Sequence, residues 1–328
     1  MYSITSHLNC LQFCLYNICK KYYVADYLMF CNSWCFSHDN TKNISQSLSI
    51  PLRDYENVYL KEYQGLSTEI ISFDSSKMES VIQLVSNKDS VEIDVIIHID
   101  SFECPWHKGY RKLSIPHFIQ VKDINYKQKK IICDDPYFNM FQIELPFEYF
   151  LSGCKTIRVL RHNPTDSKIS SDVILNHIKE RTNIKQITED IVSFAQRLSE
   201  VKTTYELFDY RDDVFFCSNV RNLKFIADSR YGLSYLFNNL SMLNDDNKKN
   251  LVSLADQMNI CGLLYEKINN YYMKLYYRNS GFRVKLQSIQ NKFIEIADIE
   301  NMIYNQLSQL EKKHDSSSNV IQIISKQQ

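Results

Sequence analysis

HFIQVKDINYKQKKIICDDPYF, residues 117–138, decides how the first half of this chain is read. Apolar and polar residues alternate along HFIQV, a polar run follows, and IIC then leads into two aspartates and a proline. This is the pattern of a β-hairpin: two strands of period two about a polar turn. In an antiparallel pair the start of one strand faces the end of its neighbour. His117 is therefore expected beside Asp134 and Asp135. Successive side chains face opposite sides of a strand, so only one of the two aspartates needs to turn towards the imidazole. A carboxylate that holds one imidazole nitrogen leaves the other to act on a nucleophile.

The expected nucleophile is Cys10. Residues 8–24, LNCLQFCLYNICKKYYV, carry apolar side chains at 8, 11, 15, 18 and 19, a helical stripe. Asn9 is the expected N-cap, which places Cys10 in the first turn. There the helix dipole favours a thiolate, and free N–H groups can hold an oxyanion. Cys14 and Cys19 lie deeper on the same stripe and read as small core residues.

Composition narrows the alternatives. The chain has 328 residues, 44% of them hydrophobic, with 38 Lys plus Arg against 38 Asp plus Glu. A net charge of zero gives no reason to expect nucleic acid or an anionic membrane as partner. Only six glycines occur, with no GxGxxG and no GxxxxGK[ST], so no nucleotide loop is expected. Ten cysteines spread over this length do not make a disulfide framework. The N-terminus lacks the basic segment of a signal peptide. No apolar run approaches the roughly 20 residues that cross a bilayer. A cytoplasmic setting with free thiols is expected. Cys31 and Cys35 form a lone CxxxC without a second pair, so no zinc and no other cofactor is expected.

Around the hairpin, TEIISF, VEIDVIIHID (91–100) and KTIRVLRH (155–162) read as strands, with ENVYLKEYQ (56–64) a poorer one. Residues 101–116 read as a loop. MFQIELPFEYFLSG reads as a short strand, a helical turn and a glycine stop. Pro164–Ser171 is polar and marks a boundary. Beyond it, four segments show 3–4 spacing of apolar residues and predict a helical bundle, with a frayed tail after His314. The expectation is an α+β fold, with a catalytic domain over 1–163 and a helical domain over 164–328.

A Cys opening the first helix, a His opening a strand and an Asp-Pro closing the next is the papain-like order. It resembles the cysteine peptidases that trim double-glycine leader peptides, whose last motif ends in Asp-Pro. ICDDPYF then favours Asp135 over Asp134. The resemblance is closer to the N-terminal domain of butirosin biosynthesis protein H and its relatives. Its pieces here are SHLNC (6–10), VEIDVIIHID (91–100), HFIQVKD (117–123) and ICDDP (132–136), and it covers about residues 1–160. It implies a papain-like fold, a helix packed on an antiparallel sheet. It also implies an acyltransferase that moves an acyl group from a carrier-protein thioester, through acyl-Cys10, to an amine. Papain-like amide synthetases of this sort include one from the clostridial polythioamide pathway to closthioamide, and the Asn, Lys and Ile bias here suits such a source.

The leader peptidases carry a Gln six residues before their Cys as oxyanion donor, where this chain has Ile4. The Cys10 N–H with Asn9 or Ser6 would have to replace it. A thioester is already activated and asks less of such donors than an amide does. His7, Asp134, Trp34, Trp106 and His107 are further candidates for substrate contacts. The partners implied are an acyl or peptidyl carrier protein and an amine acceptor. The helical half would shape the amine pocket, dock the carrier or form a homodimer, with Arg230 or Arg283 offering a basic surface to an acidic carrier. The alternatives are a cysteine peptidase or thioester hydrolase, in which water resolves the acyl-enzyme, and a non-catalytic papain-like binding protein.

Overall fold

The computed structural model describes residues 4–49, 60–61, 64–87, 92–164, 170–210, 212–278 and 280–310. The elements run α1 (Cys10–Lys21), β1 (Ser37–His38), β2 (Leu48–Ser49), β3 (Leu66–Ser72), α2 (Met78–Ser86), β4 (Ile93–Asp100), β5 (Pro116–Asn125), β6 (Lys130–Asp135), β7 (Met140–Pro146), α3 (Phe147–Gly153) and β8 (Cys154–His162). Five helices follow among the described residues: α4 (Ser171–Arg181), α5 (Ile184–Leu198), α6 (Ser218–Ser241), α7 (Lys248–Tyr277) and α8 (Phe282–Gln309). The class is α+β with a helical C-terminal region.

The chain forms two compact units. One holds residues 8–29 and the described part of 60–164. Its six-stranded sheet has the order β3-β8-β4-β5-β6-β7, antiparallel throughout. Alternate residues of the central strands, among them Val95, Ile97, Ile119, Val121, Ile131 and Val159, are buried with Val81 and Val85 of α2 and Phe150 of α3. Helix α1 packs against β5. Cys14 Sγ reaches the Phe118 carbonyl at 3.7 Å, and Lys21 pairs with the buried Asp94 at 2.9 Å. The hairpin forms as the alternation requires, with Gln120 opposite Asp134 and a turn over 126–129.

The other unit joins residues 4–7 and 30–49 to 170–310. A division at 163/164 leaves out this earlier segment, and the reason is burial. Trp34, Cys35 and Phe36 are at most 5% exposed. Phe36 lies 6.3 Å ring to ring from both Tyr265 and Phe293, and a Cβ on Gly232 would come within 2.2 Å of the Phe30 ring. Helix α5 packs on α8, and α7 packs on both α6 and α8. The stretch 171–201 reads as one helical segment but forms two helices. Asn183 interrupts it by accepting the Gln186 N–H and starting α5.

The expected strand over 56–64, most of the polar linker and the tail after His314 lie largely or wholly outside the described residues. Among the described residues no helix is long and apolar enough to cross a membrane.

Candidate active site

Cys10 is the first residue of α1. Asn9 accepts the Gln12 N–H at 2.9 Å, and Gln12 returns its side-chain oxygen to the Asn9 N–H at 3.1 Å, a capping box written N-x-x-Q. The Phe13 N–H bonds the Asn9 carbonyl. The cap thus leaves the N–H groups of Cys10 and Leu11 as the first-turn donors it does not use. Of the ten cysteines, nine are buried and Cys10 is half-exposed. Burial pushes Cys104 and Cys154 up to about 12 and Cys14 well above its ordinary value. Those thiols are inert at neutral pH, which singles out Cys10.

His117 is the second residue of β5 and Asp135 the last of β6, and both are buried, at 1% and 0% exposure. His117 Nε2 meets Asp135 Oδ2 at 2.6 Å. The Cys10 side chain lies close enough to raise the proton affinity of the ring, and Nδ1 is the nitrogen that Asp135 leaves for it. Burial alone lowers the affinity of His117 for a proton. The hydrogen bond to Asp135, with the nearby Cys10 sulfur and the Asp135 charge, more than reverses this and holds it up to about 9.

Asp135 is held from three sides. Its Oδ2 also accepts Trp106 Nε1 at 2.7 Å, and its Oδ1 accepts the Phe138 N–H at 3.3 Å as the cap of a short 3-10 turn, Pro136–Phe138. Trp106 therefore spends its indole N–H on the orienting carboxylate rather than on a substrate. Next to it, His107 lies 4.9 Å ring to ring from His117. Its Nδ1 accepts the Gly109 N–H at 2.9 Å, which leaves the proton on Nε2. Burial, with the nearby His117 charge, lowers His107 to about 4, so it stays neutral. A Cβ on Gly109 would lie 2.9 Å from Ser101 Oγ and 3.0 Å from His107 Nδ1, so a larger residue would have to push these side chains aside.

The remaining candidates have other tasks. Asp134 faces away from the imidazole, accepting the Gln142 N–H at 2.8 Å and pairing with Lys122 at 3.4 Å. Asn9 spends its side-chain oxygen on the cap. Ser6 and His7 belong to a 3-10 turn, Ile4–His7, grouped with the helical unit. His7 stacks 3.8 Å from the Tyr231 ring, and its Nδ1 lies 3.4 Å from Asp228 Oδ1, too poorly aligned for a hydrogen bond. Trp34 is not a cleft residue: it is 1% exposed and donates to Glu300 at 2.9 Å. Arg230 offers no basic surface, being fully buried on the same Glu300. Arg283 donates to the Val201 carbonyl at 2.9 Å.

A cavity of about 510 Å³ in the helical unit is lined by Asn43, Arg197, Glu200 and Tyr205, among others, with no Cys or His. Concavity alone does not make chemistry, so the Cys10 cluster is the candidate site. Among the described residues no three His, Cys, Asp or Glu side chains gather as a metal site. No family model matches the chain, and no curated protein matches its sequence.

The raised His117 value makes a stability prediction with a definite sign. A group protonated more readily in the folded state adds stability that is fully present below its unfolded pKa, near 6.5, and is lost as pH rises to about 9. Melting temperatures between pH 6 and pH 9.5 should fall more steeply for the wild type than for His117→Gln. Parallel curves would show that folding does not raise the proton affinity of His117.

Proposed function

We propose that this chain is a papain-like cysteine acyltransferase that forms amides from carrier-protein thioesters. The observation that supports it most is the His117–Asp135 pair at 2.6 Å beside Cys10, with the base and its orienter buried and the sulfur partly exposed. Nucleophile, base and orienting carboxylate stand in the order such chemistry needs. The order of motifs along the chain favours the acyltransferase relatives, and the absence of a Gln six residues before Cys10 disfavours amide cleavage.

In this reading His117 Nδ1 takes the Cys10 proton, and the sulfur attacks the thioester carbonyl. The oxyanion of the tetrahedral intermediate is met by the N–H groups of Cys10 and Leu11. The bond from carbon to the pantetheine sulfur breaks, and His117 passes its proton to that leaving thiolate. An amine then attacks acyl-Cys10 and gives its proton to His117. The Cys10 sulfur leaves, and the amide is released. Asp135 keeps Nε2 occupied throughout, so that Nδ1 faces the reacting groups.

The test is the intact mass of the protein after incubation with acyl-pantetheine thioesters and with a carrier-bound thioester. Wild type should gain one acyl mass and Cys10→Ala none, with amines clearing the adduct faster than buffer. Clearance by buffer alone would make the protein a thioester hydrolase. Failure of every donor to label Cys10 would leave a non-catalytic binding protein.

A further inference from the structure

Four of the five residues after Pro136 are large and apolar: Tyr137, Phe138, Met140 and Phe141. Tyr137 is 48% exposed, Met140 37% and Phe141 57%. Apolar side chains scattered singly over a surface need no explanation, but a run of them beside reacting groups does. This run begins two residues after the carboxylate that orients His117. The Phe138 ring lies 5.5 Å from the His117 ring and 5.3 Å from that of His107. The Tyr137 ring lies 5.2 Å from Phe138 and 6.4 Å from His117.

The backbone is braced to hold the run in place. Asp135 Oδ1 takes the Phe138 N–H at one end. Asn139 has φ 55°, a left-handed position that Asn tolerates, and returns the chain so that Met140 stands opposite Asp135. Gln142, at φ 54°, is held by its N–H on Asp134. Both aspartates of the DDP motif thus fix one turn, one from each side, and that turn carries the half-exposed Tyr137 ring 6.4 Å from the base.

We propose that the 137–141 turn is the acyl subsite, and that the acyl group delivered to Cys10 is an apolar chain rather than a short or charged one. This rests on the acyl-Cys10 reading of the site. An apolar chain laid over the exposed Tyr137 ring and its neighbours leaves water in proportion to its area. The His117 ring borders the same surface, so a chain held there keeps its carbonyl end near the base.

The experiment compares rates of Cys10 acylation, by intact mass, from acetyl-, octanoyl- and glutamyl-pantetheine. The wild type should favour octanoyl over acetyl by about tenfold, the gain from burying some two methylenes. In Tyr137→Ser/Phe141→Ser the octanoyl-to-acetyl ratio should fall to near one. The ratio is read on one protein sample, so a partly unfolded variant does not distort it. A wild type that prefers acetyl or glutamyl, or a double variant that keeps the octanoyl preference, would overturn the subsite while leaving the acyl-enzyme intact. No adduct from any donor would overturn both.

Discussion

Replacing Asp135 with Asn is expected to slow Cys10 acylation on the order of 10⁴-fold without unfolding the protein, the scale seen when an orienting carboxylate of a triad becomes an amide. The cause lies in donor counting. Asp135 offers two oxygens to three donors: His117 Nε2 and Trp106 Nε1 on Oδ2, and the Phe138 N–H on Oδ1. Asn has one oxygen. If that oxygen keeps His117 and Trp106, the amide NH₂ confronts the Phe138 N–H. If the amide turns over, its NH₂ confronts Nε2, which must then accept. The ring proton moves to Nδ1, and the nitrogen facing Cys10 can no longer take a proton. Trp106→Phe removes one donor and keeps most of the ring, so a loss of about tenfold is expected, matching one hydrogen bond to a charged group. Single-turnover acylation rates check both. An Asp135→Asn protein within tenfold of wild type would remove Asp135 from the mechanism.

That donor count was only partly legible in the sequence. The hairpin was readable because period-two alternation fixes which residues share a face, and Asp-Pro fixes where the strand ends. Helix α1 was readable from its apolar stripe and Asn9. Trp106 was not, because nothing local distinguishes an indole aimed at a carboxylate 29 residues later from one lining a cleft. The N-x-x-Q spacing of Asn9 and Gln12 is a capping-box pattern, so the Gln12 contact is written in the sequence after Cys10, not before it. The exposure of Tyr137 is not legible in the sequence, because exposure is a property of packing and leaves no mark in a short motif.

The same blindness hid the group with the largest expected effect on stability. Arg230 sits in α6 and Glu300 in α8, and the sequence reads Arg230 as solvent-facing. Both are fully buried. The guanidinium meets the carboxylate twice, Nε to Oε1 at 2.9 Å and Nη2 to Oε2 at 3.0 Å. Nη1 takes the Cys35 carbonyl at 2.7 Å and Ser229 Oγ at 2.9 Å, and Trp34 Nε1 adds a donor to Oε2 at 2.9 Å. Residues 34–35 are thereby tied to two helices whose sequences lie about 200 and 270 positions away, by fixed and nearly saturated hydrogen bonds. Glu300→Ala would leave the guanidinium buried and unpaired, at a cost of about 3–5 kcal/mol. Arg230→Met with Glu300→Leu removes both charges and should recover most of that loss, because the desolvation penalty disappears with the pair. Urea denaturation of the three proteins measures the difference. A Glu300→Ala protein within about 1 kcal/mol of wild type would mean that water reaches the site and solvates Arg230. A double variant no better than the single one would mean that the cost lies in lost packing against Trp34 and Tyr265, and not in the orphaned charge.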